Sequence, residues 1–193
     1  MNSKVTPFVL DTNAYALLFG DQTNLACIRL KEKINSSGGL SFYLPEIVAM
    51  EIHSVIGKYR RGGAKQREEP CSRHIVIANG SEPCKNTCFN AARTRMPSKV
   101  FKALQKLMDD IENTRGSIRA TMLPLGMAEI LEAKRLLARY AGQYAFGSHD
   151  ALVAGTVLVM NSKGVNLALV TSDRGLKAVS NHVGVTLYDP LST

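Results

Sequence analysis

The chain has 193 residues, a hydrophobic content of 45% and a formal net charge of +8, which suits one domain with a substantial core. No apolar run approaches the ~18 residues that span a bilayer, and Met1-Asn2-Ser3-Lys4 leads into a short strand rather than a long apolar leader. These features exclude a membrane-spanning protein and point to a soluble, cytoplasmic one.

Pattern predicts a strand over about 5–10, a short helix from Thr12 to Leu18 and a second helix over about 23–35, closed by Ser36-Ser37-Gly38-Gly39. Ser41-Phe42-Tyr43-Leu44 reads as a strand. Pro45 then opens a helix to about Tyr59, with Val48, Ile52, Val55 and Tyr59 forming one apolar stripe. Glu51 lies about 60° around that helix from Val48, at the edge of the stripe.

Residues 60–97 break the pattern. They carry Gly62-Gly63, Pro70, Gly80, Pro83 and Pro97 with little periodicity, and Ile75-Val76-Ile77 reads as a short strand. Three helices follow, over about 98–113, 126–141 and 149–162, the last apolar nearly all round and with Ser148 as its expected N-cap. The chain ends in a strand over 167–170, a helix over 174–180 and a strand over 184–188. Strands alternating with helices predict a parallel sheet covered by helices, an α/β fold in a single domain.

Charge is concentrated in the irregular stretch. Residues 58–97 hold nine Lys and Arg against three Glu, a surplus of six within the total of +8. Such a segment suits a polyanion, although a solvated loop carries charge equally well. Arg60, Arg61 and Lys65 are candidate phosphate contacts. Cys71, Cys84 and Cys88 lie in the same stretch. With His74 they only loosely approach a zinc pattern, because the usual C-x2-C pair is missing, and reduced loop thiols are the expectation. Cys27 reads as core.

Four acids sit where elements meet their boundaries: Asp11, Glu51, Asp150 and Asp173. Ligands of a parallel sheet bind at the carboxyl ends of its strands, where Asp11 and Asp173 are expected. Singly, each has a plainer role. Asp11 and Asp173 cap the helices that follow them, Asp150 complements a helix dipole, and Glu51 pairs with a surface lysine. Together they suggest one crowded anionic site, which hard divalent cations relieve. His149 beside Asp150 reads as exposed in its helix's first turn. There is no Ser-His-Asp arrangement and no glycine-rich phosphate loop.

Val9-Leu10-Asp11-Thr12-Asn13 resembles the opening motif of the PIN-domain nucleases. Leu44 to Ile52 is similar to that family's second motif, with its acid at Glu51. His149-Asp150-Ala151-Leu152-Val153-Ala154-Gly155-Thr156 resembles the third, and Leu169-Val170-Thr171-Ser172-Asp173 the fourth. The likeness is nearest to VapC-type toxins, the ribonuclease halves of bacterial toxin–antitoxin pairs. Residues 60–97 depart from it as an insertion. The resemblance implies a PIN-like three-layer α/β/α sandwich with a central, mostly parallel sheet. It also implies an endoribonuclease using Mg²⁺ or Mn²⁺, an RNA substrate, a cognate antitoxin and, by analogy, a homodimer. Asp11, Asp150 and Asp173 become metal ligands, and Glu51 orients the attacking water or completes a second metal site. Thr12, Asn13 and Thr171 become their supports. The alternatives are a housekeeping RNA-processing or DNA-directed nuclease on the same fold, and a catalytically silent RNA-binding module.

Overall fold

The computed structural model describes residues 7–19, 25–36, 42–63, 67–70, 74–77, 80–83, 87–90, 95–115 and 120–191. Two compact units are formed, Met1–His53 with Lys106–Thr193, and Ser54–Gln105.

In the first unit, β1 (Phe8–Leu10) leads into α1 (Thr12–Phe19) and α2 (Leu25–Ser36), followed by β2 (Phe42–Pro45) and by α3 (Glu46–Arg61), whose residues from Ser54 on belong to the second unit. α4 (Ser98–Glu112), which begins in the second unit and enters the first at Lys106, is followed by β7 (Ala120–Leu123), α5 (Met127–Tyr140) and α6 (Ser148–Ser162). Then come β8 (Ala168–Val170), α7 (Arg174–His182) and β9 (Thr186–Tyr188). The second unit contributes β3 (Arg67–Pro70), β4 (His74–Ile77), β5 (Gly80–Pro83) and β6 (Thr87–Asn90).

One five-stranded sheet organises the first unit, in the order β7-β2-β1-β8-β9 and with every pair parallel. The chain works outward from β1 to β2 and β7, then crosses back to β8 and on to β9. Because such crossovers are right-handed, the reversal puts α1 and α2 on one face and α5, α6 and α7 on the other. The switch point lies between β1 and β8. Both strands are buried at every residue, as a strand covered on two faces requires. Gly155 lets α5 and α6 pack closely, since a Cβ there would meet the Glu129 carbonyl oxygen at 2.9 Å.

Sequence and structure differ in instructive places. Pro45 ends β2, paired with Leu123 on β7, rather than opening α3. Ser148 lies inside the first turn of α6, and the N-cap is Gly147, whose N–H donates to Asp150 Oδ2 at 3.0 Å. Strand β7 was not expected: Ala-Thr-Met-Leu is too short to show a period and is held by its ladder to β2. Among its described residues the stretch 60–97 forms four strands, with β4–β5 nested inside β3–β6 in the chain as antiparallel pairs. Strands such as Arg-Glu-Glu-Pro have little β propensity of their own, so pairing rather than composition makes them. Ser37, Gly38, Gly39, Lys65, Cys71 and Cys84 lie outside the described residues, as do residues 5, 6, 23, 24 and 41. Cys27 is buried, as its helical context implies. Among the described residues no helix is long and apolar enough to cross a membrane.

Leu169 is fully buried at the middle of β8. Leu169→Ala is expected to lower the unfolding free energy by about 2–5 kcal/mol, because it removes apolar contacts and leaves a cavity. Equilibrium denaturation measures this.

Candidate active site

Register builds the site. Leu10 pairs with Val170, and Val170 with Tyr188. The residues that follow, Asp11, Thr171 and Asp189, therefore stand in one row across the carboxyl ends of β1, β8 and β9. The Asp11 N–H donates to the Val170 carbonyl at 3.1 Å and the Thr171 N–H to the Tyr188 carbonyl at 3.1 Å, which carries the ladder into this row.

Asp11 is only 4% exposed and Thr171 wholly buried. Asp11 Oδ1 accepts the Ala14 N–H at 2.7 Å, and Oδ2 accepts the Thr171 hydroxyl. The same Thr171 oxygen accepts the Asp173 N–H at 3.0 Å, so one threonine fixes two of the acids. Asp173 also caps α7, with Oδ1 accepting from the Leu176 N–H at 2.8 Å. Asp150 is held by the Gly147 N–H. Each aspartate thus spends one oxygen on a helix start. Asp173 Oδ2 and Asp150 Oδ1 have no hydrogen-bond partner among the described residues. The capping roles expected of Asp11 and Asp173 are therefore fulfilled.

Glu51 enters from α3, five residues beyond its start and so about 7.5 Å along the axis. Its Oε2 accepts the Thr12 hydroxyl. His149 Nε2 lies 2.8 Å from the same oxygen, at ion-pair distance but without hydrogen-bond alignment. The half-buried His149 therefore faces the acids instead of solvent, a role that sequence gave no sign of because Glu51 is so distant in the chain. Asp11, Thr12, Asn13, Glu51, His149 and Asp150 line one cavity of about 60 Å³.

Burial pushes the Asp11 carboxyl up to about 6; the nearby Asp173 and Asp150 charges add to this, against the Thr171 and Ala14 hydrogen bonds. Asp150 is also raised, chiefly by burial and then by Asp173 and Glu51, with the Gly147 N–H and His149 opposing. The acids therefore feel one another. Among the described residues no three His, Cys, Asp or Glu side chains are close enough to cage one bare ion. The cavity has room for a few waters, so a cation held there would keep much of its hydration, and Asp11, Glu51 and Asp150 are the lining residues whose oxygens could reach it.

A second network steadies the loop after β8. The Ser172 hydroxyl donates to Asp189 Oδ1 at 2.7 Å, Leu191 N–H donates to the same oxygen at 2.9 Å, and the Lys177 ammonium pairs with Oδ2. Burial raises the Asp189 carboxyl, but the Lys177, Ser172 and Leu191 bonds outweigh it and hold the group at about 2. Asp189 was absent from the sequence-derived site. Its signal was its position just after a strand level with β8.

The candidate phosphate contacts fare differently. In the second unit, the Arg60 guanidinium donates to the Met96 carbonyl at 3.0 Å and to Ser98 Oγ at 2.9 Å, and stacks over Phe101. It ties α3 to the start of α4. Arg61 is exposed, and Lys65 lies outside the described residues.

No protein-family model matches the chain, and no curated protein matches it in sequence. Among solved structures it is similar to FitAB bound to an IR36 DNA fragment, with a TM-score of 0.57, 14% identity and 96% of each chain covered. The fold is a PIN-like three-layer α/β/α sandwich built on a parallel sheet.

The raised Asp11 pKa gives a signed prediction for the metal-free protein. Between about 4 and 6 the folded state holds a proton that the unfolded chain has lost, so stability falls as pH rises through that window, by on the order of 3 kcal/mol. Asp11→Asn is expected to flatten this slope. Denaturant midpoints measured in EDTA across that range compare the two proteins.

Proposed function

We propose that the chain is an endoribonuclease dependent on Mg²⁺ or Mn²⁺, acting as the toxin of a toxin–antitoxin pair. One observation supports the nuclease reading: Asp11, Glu51 and Asp150, from separate parts of the chain, line one cavity, and Asp173, outside that lining but tied by its N–H to Thr171, is near enough for its charge to raise both Asp11 and Asp150. A protein gains no stability from such crowding, and a binder of polyanions gains nothing from clustered negative charge. The silent RNA-binding alternative is therefore the weaker one. RNA as substrate and an antitoxin as partner rest on the motif resemblance to VapC-type toxins.

Phosphodiester hydrolysis needs a positioned water, in-line attack and a stabilised leaving oxygen; a bound divalent cation supplies Lewis acidity for these. Asp11, Asp150 and Asp173 would hold that cation. Thr171 fixes the Asp11 carboxylate through its hydroxyl and the Asp173 backbone through its oxygen, while the Leu176 N–H orients the Asp173 carboxylate. Glu51, with Thr12 and His149 on one of its oxygens, is placed to orient the attacking water and accept its proton. Asn13, exposed on the cavity rim, is free to contact the substrate backbone.

Labelled single-stranded RNA is expected to be cut in Mn²⁺ and left whole in EDTA, with a matched DNA strand as control. Asp150→Asn is expected to slow cutting by about 100-fold or more, and Thr171→Val to cost about 10–100-fold in activity or metal affinity. RNA that stays intact in Mn²⁺, or is cut equally well in EDTA, contradicts the nuclease reading. Growth arrest on expression, relieved by the product of the neighbouring open reading frame, tests the toxin reading.

A further inference from the structure

A larger groove adjoins the acidic cavity. It measures about 490 Å³, within the range of sites that seat small ligands. Asn13 lines both spaces, and Asp173 forms part of the groove's wall. Leu17 and Leu191 give it an aliphatic side, Leu191 being 59% exposed. Arg174 is also in the lining. It is exposed and has no ion pair or hydrogen bond among the described residues.

The groove is built rather than incidental. Gly175, one of its lining residues, approaches Ala145 so closely that a Cβ would lie 1.9 Å from the Ala145 carbonyl oxygen. That contact locks the first turn of α7 against the loop before α6. The Asp189 network fixes the other end, holding Ser172 and the backbone of Leu191. Arg174 therefore projects from a fixed turn, one residue after an acid of the active site.

We propose that this groove seats the nucleotide next to the phosphate being cleaved, with Arg174 gripping the neighbouring phosphate. The inference rests on the nuclease reading and adds a substrate subsite to it. A guanidinium takes a phosphate in a two-pronged, charge-assisted contact. The aliphatic side shelters one face of a sugar or base, and Asn13 offers both a donor and an acceptor where the strand passes between the two spaces. No aromatic ring lines the groove among the described residues, so it holds the strand by its backbone and ranks bases weakly. A positive charge beside the anionic cavity also answers an electrostatic problem: the acids repel the very polymer they act on, and Arg174 offsets this where the strand enters.

The test combines a protein change with a substrate change. Affinity of wild type and Arg174→Gln for a short labelled single-stranded RNA is read by fluorescence anisotropy in EDTA, and cleavage is read separately in Mn²⁺. A neutral methylphosphonate is walked along the strand. Arg174→Gln is expected to weaken binding about tenfold, as loss of a charged hydrogen bond does. One methylphosphonate position is expected to cost wild type the same and Arg174→Gln nothing further, while Arg174→Lys recovers part of the loss. In Mn²⁺ that position is expected to adjoin the cut. Unchanged affinity in Arg174→Gln, the result for a groove that takes a protein segment instead of a strand, overturns the subsite. Losses that simply add at every position, or a sensitive position remote from the cut, overturn it as well. These failures leave the nuclease reading standing. If wild type binds with the expected overlap but cuts nothing in Mn²⁺, the nuclease reading falls and Arg174 is retained as a strand contact.

Discussion

Asp11 is a carboxylate almost removed from water, at the end of the central strand and beside two other acids. Burying it disfavours its charge, and neighbouring negative charge disfavours it further. Two hydrogen bonds, from the Ala14 N–H and the Thr171 hydroxyl, offset only part of this, since its pKa stays near 6. The same two bonds decide where everything else sits. Ala14 belongs to α1, so the carboxylate starts that helix. Thr171 belongs to the segment after β8, so it joins the two strands flanking the switch point and, through its oxygen, places Asp173.

Capping makes the arrangement affordable to the fold. Asp11, Asp150 and Asp173 each satisfy an N–H at the beginning of a helix, a contact commonly worth ~1 kcal/mol. Each helix start carries partial positive charge towards the cluster. Asp189 shows the contrast. At the same level of the sheet but provided with Lys177, it is fully ionised at neutral pH and serves to hold the loop. One row of three strand ends thus divides its labour: Asp189 is neutralised from within, and Asp11 is not.

Much of this was legible in the chain. Continuous apolar runs such as Phe8-Val9-Leu10 and Ala168-Leu169-Val170 mark strands buried on both faces, and the alternation with helices marks the parallel sheet. The aspartates were visible because each stands at a boundary where an apolar period stops. What stayed hidden depends on tertiary pairing. His149 meets Glu51 only because α3 and α6 converge, and no local pattern encodes that. β7 and the strands within 60–97 owe their form to partners rather than to propensity. Arg60 looked like a phosphate contact because it sits in a basic stretch, yet its guanidinium has three partners within its own unit.

The central claim is that these distant anions form one cation-binding centre. Anomalous diffraction from crystals soaked in Mn²⁺ tests it most directly. The account predicts a peak in the cavity between Asp11 and Asp150, within reach of Asp173 directly or through water, and lost in Asp11→Asn. A cavity without manganese, with the carboxylates turned away from one another, would contradict it.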